Sequence, residues 1–255
     1  FFFKQKTAYE IKECDWSSDV CSSDLSSDMH VIEIGPGLGA LTRPLLSNLT
    51  HLDLLEIDRD LVAYWQHENL SGLTVIEGDA LKFDFNQWAQ QRSEKSGLCK
   101  VVGNLPYNIS SPLLFHLVSA ASHIDEQVFM LQAEVVERMV AQAGSSDFSR
   151  LSVMLQARYD MELVLEVPPE AFEPAPKVNS AVVRMIPRKE FHLNSAQWSA
   201  LEQVVAAAFS QRRKMLRTNL QPFASKLKLS EDELKARAQD ISVDRYIEWA
   251  KLLAN

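Results

Sequence analysis

Cysteine is scarce in this chain: Cys14, Cys21 and Cys99 are three residues, scattered and odd in number. They form neither a disulfide framework nor a CxxC metal pair, so zinc and other metals have no basis here and a reducing, cytoplasmic setting is the expectation. Long apolar runs are missing as well. No stretch approaches the roughly eighteen uninterrupted apolar residues of a membrane-spanning helix, and no membrane partner is expected. Positive charge is in deficit, with 26 Lys and Arg against 34 Asp and Glu, a net of −8. Taken over the whole chain, that balance argues against a nucleic-acid partner. The deficit is uneven, however. Residues 31–187 carry 11 basic and 20 acidic side chains, a net of −9, whereas residues 188–255 carry 12 basic and 8 acidic, a net of +4. A basic segment on an acidic body can still set a local positive patch against phosphates, with a solvated helical face as the plainer alternative.

At 255 residues the chain is long enough for a sizeable core and about two domains. Residues 1–30 read unlike the remainder: the chain opens Phe1-Phe2-Phe3, and Ser-Ser-Asp recurs from Ser17, Ser22 and Ser26. This polar, repetitive stretch lacks the apolar run of a signal peptide and is expected to be a disordered or artefactual leader outside the fold. From Val31 an apolar strand, a loop and an amphipathic helix repeat. Strands are expected at 31–34, 51–56, 73–76, 98–102 and 127–131, with helices at 40–47, 59–68, 111–120 and 133–143. Such alternation implies an α/β fold with a mostly parallel sheet and helices on both faces. Two more strands, 163–167 and 181–186, flank a proline-rich loop, and this hairpin-like ending makes the last strand antiparallel. After Pro187 only helical periodicity continues, at 195–209, 215–223, 231–238 and 243–253, with Ser230 and Ser242 as caps. The boundary between a first domain, 31–187, and a small all-helical domain, 188–255, is therefore placed at Pro187.

The chemistry concentrates at strand ends. Asn104-Leu105-Pro106-Tyr107 follows an apolar strand, at the carboxyl edge where open α/β sheets bind ligands. The Asn104 side-chain oxygen and the Leu105 carbonyl suit the two hydrogens of an exocyclic amine, and Tyr107 offers a face for a base. An ordinary strand-ending turn is the alternative for four residues alone. Gly35-Pro36-Gly37-Leu38-Gly39 has the mechanics of a nucleotide loop, since glycines let the backbone approach a ligand and the next helix offers free N–H groups. Gly35, Gly37 and Ala40 satisfy the dinucleotide pattern, with acidic Glu56 twenty-one residues after Gly35, so a nicotinamide dehydrogenase competes at this point. Two acids weigh against it. Glu33 stands where a pyrophosphate would be repelled but a cationic amino-acid end favoured, and Asp79 supplies an acceptor for an adenine amine. Either acid can also be a loop cap.

These residues resemble a family: the Rossmann-like S-adenosylmethionine-dependent methyltransferases, and within them the small-subunit ribosomal RNA adenine dimethyltransferases of the KsgA type. Residues 31–42 look like the glycine motif, Glu56-Ile57-Asp58 the ribose acid, Gly78-Asp79-Ala80 the adenine-binding aspartate, and Asn104 to Tyr107 the catalytic tetrad. The likeness continues through residues 108–113, 150–154, 167–178 and 209–214. It implies that Gly35, Gly37, Glu56, Asp79 and Asn104 bind S-adenosyl-L-methionine. It also implies that Asn104, Leu105 and Tyr107 act on the target adenine, with Phe172 sandwiching the flipped-out base against Tyr107. One motif of the resemblance is missing: nothing in residues 1–30 matches the Gln-Asn-Phe-Leu helix that closes over the methionine end of the cofactor.

The expected activity is dimethylation of the N6 amine of adjacent adenosines near the 3′ end of small-subunit ribosomal RNA, with a part in subunit maturation. The expected partner is that RNA within an immature 30S particle, met as a monomer through Arg212, Arg213, Lys214 and Arg217, which open the helix expected at 215–223. A ribosome assembly factor acting without catalysis is the alternative. Methylation of DNA adenine or protein glutamine fits less well, because Leu105 stands where those enzymes carry a first proline. A related large-subunit RNA methylase shares the tetrad, but residues 209–214 favour the small-subunit enzyme.

Overall fold

A computed structural model describes residues 10–11, 27–93, 97–190 and 193–254. The strands are β1 (Glu10–Ile11), β2 (His30–Ile34), β3 (Leu52–Glu56), β4 (Leu73–Glu77), β5 (Cys99–Asn104), β6 (Glu126–Gln132), β7 (Tyr159–Val167), β8 (Phe172–Glu173) and β9 (Ser180–Pro187). The helices that position the site are α1 (Thr42–Leu46), α2 (Arg59–Glu68), α3 (Phe85–Ser93) and α4 (Ser110–Val118). Two compact units divide the chain: 1–136 with 162–187, and 137–161 with 188–255.

In the first unit a seven-stranded sheet runs in the order β4-β3-β2-β5-β6-β9-β7. The pairs β2 with β3, β3 with β4, β2 with β5 and β5 with β6 are parallel. β9 lies antiparallel to β6, from Gln127 opposite Met185 to Gln132 opposite Ser180, as the sequence led us to expect. Parallel strands covered on both faces need apolar side chains throughout. Accordingly Val31, Ile32, Leu52, Leu54, Val101 and Val102 are all buried. Successive strands are added outward in one direction from β2 and in the other from β5. The two adjoin, so the reversal point lies between them, where open α/β sheets form their ligand crevice.

Local sequence explains the helices flanking this crevice. Asp58 caps α2, its side chain accepting from the Asp60 N–H at 2.9 Å, and Asn69 ends it in the left-handed conformation at φ 46°. The expected span 59–68 is the observed one. Helix α3 was not among the expected elements, although Asp84 caps it by accepting from the Gln87 N–H at 2.8 Å.

The second unit takes in more of the chain than the expected 188–255. Its helices are α5 (Ala133–Val140) from residue 137 onward, α6 (Arg150–Gln156), α7 (Ser195–Ala208), α8 (Leu216–Asn219), α9 (Ala224–Leu227), α10 (Glu231–Lys235) and α11 (Val243–Ala254). Residues 137–161, assigned from sequence to the first domain, belong here for a packing reason. Fully buried Phe148 meets Phe209 with ring centroids 6.4 Å apart, Phe209 stacks on Tyr246 at 6.0 Å, and Tyr246 meets Trp249 edge-on at 5.2 Å. The Gly144 N–H also donates to the Gln239 carbonyl at 2.7 Å.

The helix expected at 215–223 is broken. α8 ends after one turn, and Pro222 sits in a separate 3-10 turn, Gln221–Phe223. The break falls at Leu220, and Pro222 has no N–H with which to continue an α-helix from Thr218. Of the leader, Glu10 and Ile11 form β1, paired antiparallel with β8 so that Ile11 stands opposite Phe172. Residues 27–30 of the expected leader also belong to the fold, since Met29 is buried in the core and His30 begins β2, while residues 1–9 and 12–26 lie outside the described residues.

Candidate active site

The residues singled out as cofactor-binding meet at the carboxyl ends of four neighbouring parallel strands. The loop after β2 turns through Gly35 at φ 67° and Gly37 at φ 55°, left-handed conformations that favour glycine. A Cβ at either position would meet nothing within 4 Å, so this backbone stands open for close approach by a ligand. The Gly35 N–H donates to the Leu55 carbonyl at 3.0 Å, tying the loop to the end of β3.

Glu56 ends β3. Its Oε1 accepts from the Ile57 and Asp58 N–H groups at 2.8 and 2.9 Å, and the residue is only 6% exposed. Burial raises its pKa above the usual carboxylate range, opposed by these backbone donors and by Gly37. The group is thereby oriented at the strand end, where a ribose diol would meet a carboxylate acceptor. Asp79 follows β4. Its Oδ1 accepts from the Leu81 N–H at 3.0 Å, and Lys82 Nζ stands 3.7 Å from its Oδ2.

Glu33 is engaged with the helix that follows the glycine loop. It lies within β2, 2% exposed, and accepts from the Thr42 hydroxyl of α1 at 2.7 Å. Burial pushes its carboxyl up to about 8, the Thr42 hydroxyl opposing the rise and the Glu56 charge adding to it. Its hydrogen bond to Thr42 ties β2 to α1, the two elements that flank the glycine loop.

The tetrad begins on the strand itself. β5 runs two residues further than expected, so Asn104 is its last residue. Leu105, 1% exposed, donates its N–H to the Met130 carbonyl of β6 at 3.1 Å. The Pro106 carbonyl accepts from the Ile109 N–H at 3.1 Å and the Ser110 hydroxyl at 3.0 Å, closing the turn into α4. Tyr107 is half-buried and its hydroxyl lies 3.0 Å from the hydroxyl of Ser180. Phe172 is 3% exposed and belongs to a hydrophobic cluster with Val167 and Val182, so its ring is covered and meets a base only if its neighbours move.

Two residues of this site were not singled out from sequence. Trp65 of α2 donates its indole N–H to the Gly37 carbonyl at 2.9 Å, and Ser180 engages Tyr107. A lone tryptophan on a helix and a serine at a strand start carry no local signal for either contact.

In the second unit, Arg212, Arg213, Lys214 and Arg217 are all exposed. They do not open a long helix, as expected, because α8 is a single turn and the first three precede it. Arg212 donates to the Ser146 carbonyl at 2.5 Å, whereas Arg213, Lys214 and Arg217 form no ion pair among the described residues. Among those residues no helix is long and apolar enough to cross a membrane.

The family model described as ribosomal RNA adenine dimethylase matches residues 18–255, so it takes in residues 18–30 that the sequence reading set apart as a leader. A Bordetella pertussis protein named ribosomal RNA small subunit methyltransferase A is 55% identical over 229 residues, covering 89% of this chain and 84% of that protein. One of the same name from Dechloromonas aromatica is 47% identical over 238 residues, covering 92% and 91%. Among solved structures, a dimethyladenosine transferase from Plasmodium falciparum matches with a TM-score of 0.77 at 24% identity, over 94% of this chain and 95% of that one. The 23S rRNA methyltransferase ErmE matches at 0.68 and 21% identity, over 96% and 100%. These two structures share the fold. The open glycine backbone and the oriented Glu56 fit the ribose and amino-acid portions of S-adenosylmethionine, and the chain belongs to the ribosomal RNA adenine dimethylase family, a group of S-adenosylmethionine-dependent methyltransferases.

Proposed function

We propose that this chain dimethylates the N6 amine of adjacent adenosines near the 3′ end of small-subunit ribosomal RNA, acting on an immature 30S particle. The observation that carries this reading is the placement of Asn104 at the end of β5, next to the reversal point and the glycine loop of β2. S-adenosylmethionine supplies an electrophilic methyl group on its sulfonium. Glu56 would hold the ribose and Asp79 the adenine of the cofactor, and the open backbone at Gly35 and Gly37 would admit its amino-acid portion.

The target amine is a weak nucleophile because its lone pair delocalises into the ring. Acceptors at the Asn104 side chain and the Leu105 carbonyl hold both amine hydrogens and favour a pyramidal nitrogen with its lone pair aimed at the methyl. Orientation of this kind can supply up to about 7–11 kcal/mol of barrier reduction. Tyr107 stacks on the flipped base, and Phe172 forms the second face once the base displaces what covers it. A monomethylated amine still has a lone pair, so a second round follows in the same pocket. Basic side chains of the second unit, Arg212, Arg213, Lys214 and Arg217, dock on RNA phosphates. A role in assembly without catalysis is not favoured by relatives at 47–55% identity that carry the methyltransferase name.

The test is mass spectrometry of small-subunit RNA after incubation of immature subunits with the protein and S-adenosylmethionine. Two dimethylated adenosines near the 3′ end are the expected result. Normal binding to the particle with unmodified RNA would leave only the assembly role.

A further inference from the structure

The tetrad turn is tied to two further strands of the sheet. Leu105 bonds to Met130 of β6, while the Tyr107 hydroxyl reaches Ser180, the first residue of β9. Because β6 lies between β5 and β9, the turn that follows β5 is tied through Tyr107 to a strand that does not adjoin β5 in the sheet. Its anchor is firm. Ser180 is 1% exposed, its register is set opposite Gln132 by the antiparallel ladder, and the adjoining Asn179 carbonyl accepts the Ala133 N–H at 2.9 Å.

We infer that Ser180 is a positioning residue for methyl transfer, fixing the position of the Tyr107 ring on which the target adenine stacks. The inference rests on the reading of Tyr107 as the stacking face. A tyrosine ring swings about its first side-chain torsion, and a hydrogen bond at its tip restrains that swing, fixing where the ring stands. The hydroxyl thus serves as an anchor to the sheet and leaves the ring face for the base. Displacement of the ring passes directly to the target nitrogen, whose lone pair must point at the methyl. Ser180 itself touches neither base nor cofactor in this scheme.

The test is single-turnover methyl transfer to immature small subunits, with cofactor affinity and melting temperature measured alongside. Ser180→Ala is expected to slow transfer by about three- to tenfold, the worth of one net hydrogen bond, with cofactor affinity near wild type. Tyr107→Phe is expected to match it, the double variant to be no slower than either single one, and Ser180→Thr, which keeps the hydroxyl, to recover most of the rate. Ser180→Ala at the wild-type rate, with Tyr107→Ala severely slowed, would overturn the inference and leave stacking intact. Tyr107→Ala at the wild-type rate would overturn the stacking reading itself. Equal losses of rate, cofactor affinity and melting temperature in Ser180→Ala would also overturn it, by making Ser180 a general stability residue.

Discussion

The Trp65 indole N–H donates to the Gly37 carbonyl at 2.9 Å, and the tip of the same ring occupies the space into which a Cβ on Gly39 would project. One side chain of α2 therefore holds the glycine loop from beneath at two points. Trp65→Phe removes the hydrogen bond and leaves a void. We expect cofactor affinity to fall by about three- to tenfold, equivalent to the 0.5–1.5 kcal/mol of one net hydrogen bond, together with a lower melting temperature. Gly39→Ala should be worse, because its Cβ would stand 2.5 Å from the Trp65 ring at a φ of 99°. Calorimetry with S-adenosylmethionine measures both. Unchanged affinity in Trp65→Phe would show that the loop is held by other contacts.

Glu33 gives a pH dependence of definite sign. With its carboxyl pushed up to about 8 from the ordinary 4.5, the folded chain keeps a proton across that interval that the unfolded chain has released. Its contribution to stability is therefore full at acid pH, falls as pH rises through the interval, and levels off above about pH 8. Glu33→Gln keeps an acceptor for Thr42 and abolishes the titration. The melting temperature of wild type minus that of Glu33→Gln should thus decline between pH 5 and pH 8.5. A difference that grows with pH instead would mean that Glu33 is held ionised.

Particular residues show which parts of this were legible beforehand. Asp58 and Asn69 bracket α2 with local cap chemistry, so its ends were readable. Glu56, Asp79 and Asn104 each follow an apolar strand, and a parallel sheet must bring such ends to one edge. The contacts of Trp65 with Gly37 and of Tyr107 with Ser180 span 28 and 73 residues and depend on which strands adjoin, which no local pattern encodes. The reassignment of residues 137–161 has the same origin, since Phe148 packs against Phe209, a residue remote in sequence. Two misses had local signals: Asp84 announced α3, and Pro222 announced the break after α8. The burial of Phe172 had none, because an aromatic in a proline-rich loop reads equally as core or as ligand face.

Asn104→Ala should separate chemistry from docking. Removing one positioned acceptor is expected to cut methyl transfer at least about a hundredfold, the scale seen when a preorganised transition-state contact is lost. Association with immature subunits should stay nearly intact, because the basic side chains proposed for docking, Arg213, Lys214 and Arg217, lie elsewhere in the chain. Transfer kinetics and particle binding measured on the same preparation check this. Parallel losses in both would make Asn104 a structural turn residue.

The basic cluster of the second unit divides into two kinds of side chain. Arg212 is committed to the Ser146 carbonyl at 2.5 Å and so links α6's flank to the segment ahead of α8. Arg213, Lys214 and Arg217 are exposed and form no ion pair among the described residues, leaving them available for phosphates. Replacing these three with glutamine should barely move the melting temperature or cofactor affinity. It should weaken particle binding and reduce the slope of log K against log salt by about 0.7–0.9 for each phosphate contact removed. Arg212→Gln should do the reverse, lowering the melting temperature more than the salt slope, since a hydrogen bond inside the unit is lost. Binding measured from low to moderate salt, beside thermal melts, distinguishes the two classes. An unchanged slope in the triple variant would assign RNA docking to another basic surface of the chain and leave Arg213, Lys214 and Arg217 as solvated side chains.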